Sequence, residues 1–300
     1  MSRDKLAIQD LLRNLHLIEI RARKKMQGGL ASSYRNVFRG QGLEFAEVRE
    51  YVEGDDIRLI DWNVSARFSN LFIKQLNEER ELNIVSALQC SRSMDYGTVR
   101  CTKFQSAAEV AAMVIFSAIH TGDRPGLILF GGGAPLEYIP PQRGSHQGFV
   151  LLNRLIDRRV EGEAVDLDGL FKFLVYGLKK RSVVFLLGDF LYAHWTPQLL
   201  KMAARRHDLI AVNVLDPSEL AGPGPGVYPL ESSPGRAPVT AVGERTREKY
   251  RQRIRSRIDE LANLFGKAGV DLLSLRTDSS GEQELQRLFQ RRLRQIRHLS

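Results

Sequence analysis

Apolar residues recur along this chain at two different spacings, and the alternation between them is the first structural signal. Ile8, Leu11, Leu12, Leu15 and Ile18 recur every three or four positions, which predicts an amphipathic helix over 5–24, ending in RARKK before Gly28-Gly29. Residues 30–68 are turn-rich and polar and show no long periodic run. LFIKQL and LNIVSALQ then read as two strands joined by the charged NEERE. KFQSAAEVAAMVIFSAIH has helical spacing and stops at the turn Thr121-Gly122-Asp123; the strand PGLILFGG and a short strand LEYI follow. Helices are expected over 145–159 and 166–179, then the strand SVVFLLGDF, a helix over 196–206 and the strand DLIAVNVL.

Strands alternating with helices in this way predict an α/β fold, a doubly wound, mainly parallel sheet flanked by helices on both faces. Residues 216–243 interrupt the rhythm. Six of the eleven prolines fall between Pro217 and Pro238, and proline cannot donate to a sheet ladder, so a loop or edge hairpin is expected there. A basic helix, the strand VDLLSL and a terminal helix complete the chain. The organisation expected is an N-terminal helix and polar region, 1–79, packing on a core domain, 80–300, with an insertion at 216–243.

Composition adds bounds to this picture. The chain has 300 residues, 43% of them hydrophobic and 26% charged, as in a water-soluble globular protein. The most apolar stretch, around Ala107 to Ile119, is broken by Glu109 and is shorter than the ~20 residues a membrane span needs. MSRDKLAIQD lacks the apolar core of a signal peptide. Cys90 and Cys101 have no metal-type spacing. A cytoplasmic location without a transmembrane segment is the expectation.

The net charge of +9 is local rather than general. Residues 244–257 and 287–298 each carry a net +5, which leaves the rest of the chain close to neutral. Both are amphipathic helices by spacing, with the arginines expected on solvated outer faces. No nucleic-acid motif or aromatic-lined basic groove accompanies the charge, so no nucleic-acid partner is expected.

Candidate chemistry collects at strand ends. In an open parallel sheet, ligands bind at the carboxyl ends of strands, where strand order reverses. Two strands here end in small polar or acidic residues, LQCSRSM at Gln89–Met94 and LLGDF at Leu186–Phe190. A Ser-x-Ser can offer two hydroxyls to Mg²⁺, an ion that takes oxygen ligands, and Asp189 could add a carboxylate across the crevice. Cys90 reads as a small buried hydrophobe. The cluster GDDIRLIDW places Asp55, Asp56, Arg58 and Asp61 within seven residues; an ion-pair and turn-capping network is the expectation, with Trp62 and the Ser65-Ala66-Arg67 run pinning that loop to the sheet.

The run from Phe45 to Met94 resembles the bacterial family called "domain of unknown function 58". Its hallmark, R-x-Y-x-x-G-D-x-x-R-x-I-x-W-x-x-S-A-R, is matched by Arg49, Tyr51, Gly54, Asp55, Arg58, Ile60, Trp62, Ser65, Ala66 and Arg67. TGDRPGLILF, PPQRG, LLGDF and RRHDLIAVNVLDP with Glu219 continue the likeness, over roughly residues 20–295. The resemblance implies a von Willebrand factor A-like fold with a metal-ion-dependent adhesion site of pattern Asp-x-Ser-x-Ser. Ser91 and Ser93 match its hydroxyl ligands and Asp189 its later aspartate, whereas Gln89 stands in place of the leading aspartate. A neutral amide brings no charge, so the site is expected to be degenerate, with no resident cofactor and weak Mg²⁺ or Mn²⁺ binding at most. Asp95 could restore part of the charge, and Ser145 or its loop is where a threonine ligand would be sought.

The resemblance further implies work beside a MoxR-type AAA+ ATPase, in chaperone-like assembly, metal insertion or stress and envelope processes, with a client that the sequence does not identify. The adhesion-site face and the signature region (Arg49, Tyr51, Asp55, Arg58, Trp62, Arg67, with Asp95) are the candidate contact surfaces. Catalytic patterns are missing: there is no G-x-S-x-G elbow, no Walker loop and no HExxH spacing. The sequence therefore reads as a non-enzymatic interaction module. Its alternative is a metal-dependent hydrolase or nucleic-acid-binding protein using Asp55, Asp56 and Asp61 with the arginine-rich helices.

Overall fold

The structure, a computed structural model, describes residues 31–38, 47–57, 60–67, 70–75, 81–131, 136–157, 165–190, 194–229 and 239–299. The helix expected over 5–24 and the side chains of Arg49 and Arg58 lie outside what it describes. Within 30–68, where no long element is expected, it contains a short helix α1 (Ala31–Phe38), a strand β1 (Glu47–Glu50) and one turn of helix α2 (Trp62–Ser65). Strand β2 (Phe72–Gln75) pairs antiparallel with β1. These elements are too short to leave a periodic signature in the sequence, which is why the region reads there as turns.

A six-stranded sheet forms the core. Its strands are β3 (Asn83–Gln89), β4 (Arg124–Phe130), β5 (Glu137–Ile139), β6 (Ser182–Gly188), β7 (Asp208–Leu215) and, after the hairpin strands β8 (Gly226–Pro229) and β9 (Val239–Val242), β10 (Asp271–Arg276). The spatial order is β10-β7-β6-β3-β4-β5, parallel throughout except for the antiparallel edge strand β5. The central strands are buried on both faces, as their unbroken apolar runs predict. Within the proline-rich segment, β8 and β9 form a two-stranded antiparallel hairpin that does not pair with the six-stranded sheet.

Helices cover both faces. On one, α3 (Lys103–Thr121) lies centrally beside α1, α4 (Ser145–Ile156) and α9 (Gly281–Leu299), burying Ile84, Leu88, Leu127, Phe185 and Val212. On the other, α5 (Leu167–Lys172, prolonged by a π turn to Gly177), α6 (Pro197–Arg206) and α8 (Glu244–Lys267) pack on Val85, Ala87, Val184 and Ala211. A five-residue helix, α7 (Pro217–Ala221), follows β7. Among the described residues, no helix is long and apolar enough to cross a membrane.

Polar clasps close the amino-terminal end of the sheet. The buried Asp123 accepts hydrogen bonds from Tyr34 Oη on α1 (3.2 Å), Thr121 Oγ1 (2.7 Å) and the Leu82 amide (3.1 Å). The arginine-rich terminal helix is not solvated all round, contrary to the expectation for its basic face. Arg292 turns inward, with Nη1 and Nη2 on Asp208 (2.7 and 2.8 Å), Nε on Asp271 (2.6 Å) and the Phe38 ring beneath its guanidinium. The basic face of α8 is solvated only in part: Arg245, Arg253 and Arg255 are exposed, whereas Arg247 and Arg251 donate to Ala221 O on α7 (3.2 and 3.0 Å).

Candidate functional site

The strand order changes direction between β3 and β6: β4 lies on one side of β3, while β6, β7 and β10 lie on the other. Gln89 ends β3 and Asp189 follows β6, so the two sit side by side at this switch point. Cys90 N donates to Phe130 O (2.7 Å), so the ladder continues beyond Gln89. Gly131 then leaves the sheet at φ +104°, a conformation suited to glycine. Cys90 itself is buried in the core. After Ser91 the chain makes a single 3₁₀ turn, Arg92–Asp95, which buries Met94 and leaves Ser93, Asp95 and Tyr96 facing outwards.

The Gln89 amide organises the floor of the crevice. Its Oε1 accepts the Asp189 N–H (3.0 Å), which orients Nε2 towards the serines; Nε2 donates to Ser91 Oγ (2.7 Å) and lies 3.5 Å from Ser93 Oγ, while the two hydroxyls are 3.0 Å apart. Gly188 makes this possible, since a Cβ there would lie 2.5 Å from Gln89 Oε1. Gln89, Ser91 and Ser93 are thus brought together, but the serine oxygens are engaged by the Gln89 amide N–H.

A lysine completes the crevice, and it has no counterpart in the reading of the sequence. Lys103 is the first residue of α3, whose start is fixed by a capping box between Thr102 and Gln105 and by Lys103 N donating to Tyr96 O (2.8 Å). Its side chain is only 1% exposed. Nζ donates to Asp189 Oδ2 and to Glu219 Oε1, each at 2.6 Å, and lies 6.0 Å from the centre of the Tyr96 ring. Burial by itself would lower the ammonium's pKa, but the two carboxylates outweigh it and hold the group above its ordinary value. A sequence signal exists: a lysine opens a helix that is otherwise almost wholly apolar on its inner turns, at a strand-end crevice.

Glu219 is placed by α7. Its Oε2 accepts from Asp216 N (2.9 Å) in a second capping box, which aims Oε1 at Lys103. Asp216, fully buried at the end of β7, gathers the surrounding loops: it accepts from the Thr98 amide (2.9 Å), the Ser218 amide and hydroxyl (2.9 and 2.6 Å) and Thr277 Oγ1 (2.7 Å). Burial on its own raises its pKa, but the donors from Ser218, Thr98 and Thr277 prevail and hold its carboxyl far below the usual range. Tyr96 Oη and Ser218 Oγ are 2.7 Å apart across the rim.

These residues do not fit a divalent cation. Mg²⁺ needs a set of oxygen ligands, with carboxylates dominating affinity. Here the first carboxylate is an amide, the hydroxyls accept that amide's hydrogens, and the remaining carboxylates are bound to an ammonium. A dication about 4 Å from Nζ would be repelled by about 8 kcal/mol at an effective dielectric of about 20. Asp95 lies on the exposed rim. Ser145 lies elsewhere altogether: Gln147, two residues on, donates to Pro125 O and Pro140 O near the opposite end of β4.

The signature region also has a defined geometry. Asp61 caps α2 through the Asn63 and Val64 amides (3.0 and 3.3 Å), and Asp55 accepts the Val52 amide (3.0 Å). Ser65 Oγ accepts from Phe72 N (2.8 Å), and Tyr51 N donates to Leu71 O (2.8 Å). The turn-capping roles are those expected of the carboxylates. Trp62 does not pin the loop: it is 65% exposed, and Ser65 and Asp61 do the fastening. Arg67 and Asp56 are exposed, and the Arg49 backbone pairs with Ile73 in β1–β2.

A mainly parallel six-stranded sheet, covered by helices on both faces and carrying a Ser-x-Ser turn at its switch point, defines an α/β domain of the von Willebrand factor A-like kind. The family model "Protein of unknown function DUF58" matches residues 47–260, and the chain belongs to that family. It is 28% identical over 268 residues to the uncharacterized protein Rv1480 of Mycobacterium tuberculosis and, to the same extent, to Mb1516 of Mycobacterium bovis, covering 88% of this chain and 84% of each relative. Among solved structures, it is similar to the conserved hypothetical protein BatB from Bacteroides thetaiotaomicron (14% identity, TM-score 0.42, covering 72% of this chain and 99% of that one). The SpRpn10 VWA domain is a further likeness (12% identity, TM-score 0.40, covering 68% and 93%).

Proposed function

We propose that this chain is a non-enzymatic protein-interaction module, an adaptor that works with a MoxR-type AAA+ ATPase in the cytoplasm and presents a client during chaperone-like assembly or stress and envelope processes. The observation that carries this reading is the exposure of four large apolar side chains on the family-signature segment. Val52, Ile57, Trp62 and Leu71 are exposed by 61, 64, 65 and 44%. The backbone segments that carry Val52, Trp62 and Leu71 are joined by the Tyr51–Leu71 and Asp61–Phe72 bonds. Large apolar side chains left exposed on capped, hydrogen-bonded turns favour a docking role over a packing role.

The carboxylates of that segment support the same reading. Asp61 and Asp55 serve as a helix cap and a turn clasp. The ATPase as partner rests on the family resemblance.

The test is size-exclusion chromatography with light scattering on a mixture of this chain and the MoxR-type ATPase of the same genome, in ADP and in a non-hydrolysable ATP analogue. A complex favoured by one nucleotide state is expected, together with no turnover of generic phosphoesters by the chain alone. No complex in either state would sink the adaptor reading.

A further inference from the structure

We infer that the Lys103 ammonium is the resident cation of the switch-point crevice, and that this site has exchanged a metal ion for two nitrogens of its own chain. The inference goes beyond the interaction reading and does not rest on it.

The positions of the two nitrogens carry the argument. Nζ of Lys103 lies 2.6 Å from both Asp189 and Glu219, and Nε2 of Gln89 lies 2.7 Å from Ser91 Oγ. The carboxylate and hydroxyl oxygens of the crevice therefore face N–H donors in place of an ion. Each donor is held in place from behind. The Asp189 amide fixes the Gln89 side chain, Gly188 leaves room for it, and the capping box at Thr102 fixes the origin of Lys103. Glu219 is aimed by the amide of Asp216, whose own carboxylate is saturated by Thr98, Ser218 and Thr277. A crevice that had merely lost a ligand would leave unpaired oxygens behind, because unsatisfied buried polar groups are costly. None of the side-chain oxygens named here is among the buried polar atoms that lack a hydrogen-bond partner.

A specific consequence separates this from the simple loss of a ligand. Restoring the aspartate alone should not restore metal binding, because the new carboxylate would pair with the ammonium already present. Both nitrogens must go. The experiment is a Mn²⁺ titration, followed by electron paramagnetic resonance and by thermal melting, on wild type, Gln89→Asp, Lys103→Met and the double variant. Wild type and Gln89→Asp should bind no Mn²⁺ below about 1 mM. The double variant should bind at least tenfold more tightly than either single variant, and Mn²⁺ should raise its melting temperature.

Mn²⁺ binding by Gln89→Asp as tight as that of the double variant would overturn the inference. So would a folded double variant that binds none. Should Lys103→Met fail to fold, acetylation of the wild-type protein decides the matter. Lys103 should stay unmodified in the native chain while surface lysines react, and modification at the surface rate would refute the assignment. Each of these results is read without any partner, so it cannot be confused with failure of the adaptor reading.

Discussion

Asp216 shows how one side chain can hold a site together from behind it. Its carboxylate receives donors from the loop after Ser93, from α7 and from the turn after β10, a convergence that the Tyr96–Ser218 and Arg100–Thr277 hydrogen bonds reinforce. Hydrogen bonds to a charged acceptor stabilise by about 1.5–3 kcal/mol each. Asp216→Asn turns one acceptor oxygen into a donor facing other donors, and should cost about 2–3 kcal/mol in chemical denaturation at neutral pH. The pH dependence follows from the depressed carboxyl. The folded state binds this proton less readily than the unfolded state, so the stabilisation is complete above the ordinary value of 3.8 and is lost as pH falls below it. Wild type should therefore lose more stability between pH 5 and about pH 3 than Asp216→Asn does. Equal slopes for the two proteins would show that Asp216 is not the group responsible. Sequence reading found Gln89, Ser91, Ser93 and Asp189 because they follow a known pattern at strand ends. It missed Lys103, Asp216 and Thr277, whose roles depend on which loops meet over the crevice, something local spacing does not encode.

Among the elements, the long apolar and amphipathic runs announced themselves. The strands at 83–89, 124–130, 182–188 and 208–215 lie where unbroken apolar runs place them, because a parallel sheet buried on both faces needs such runs. The short elements α1, α2 and β1 escaped, since one or two turns give periodicity nothing to repeat over. The terminal helix was legible as a helix, but the inward turn of one arginine was not. Arg292 couples α9 to the starts of β7 and β10 through two carboxylates and is only 13% exposed. Removing one partner from a largely buried ion pair leaves charge uncompensated and typically costs about 3–5 kcal/mol. Arg292→Met should lower stability by about 3 kcal/mol in urea unfolding, whereas Arg255→Met, on the exposed face of α8, should change it by less than about 0.5 kcal/mol. Similar losses at both positions would mean that Arg292 acts only through general charge.

At the scale of the whole molecule, the domain separates a closed crevice from an open surface. The switch point, where sheets of this kind usually hold ligands, is filled by Lys103, Gln89 and their acceptors. The signature segment instead turns Trp62, Val52 and Ile57 outwards on well-fastened turns. This division leaves the floor of the crevice buried, while exposed apolar side chains stand on the signature segment and, as Tyr96 and Val99, on the crevice rim. It also explains why a conspicuous tryptophan can be exposed without loosening the fold: Asp61 and Ser65 hold the turn on which it stands. The most direct test of the account is the affinity of the Trp62→Ala variant for the MoxR-type ATPase, measured by biolayer interferometry beside its melting temperature. A buried interface tryptophan commonly contributes 2 kcal/mol or more, so a loss of about 30-fold in affinity is expected, with the melting temperature within about 1 °C of wild type. Unchanged affinity in a variant that melts like wild type would contradict the assignment of this surface as the docking site.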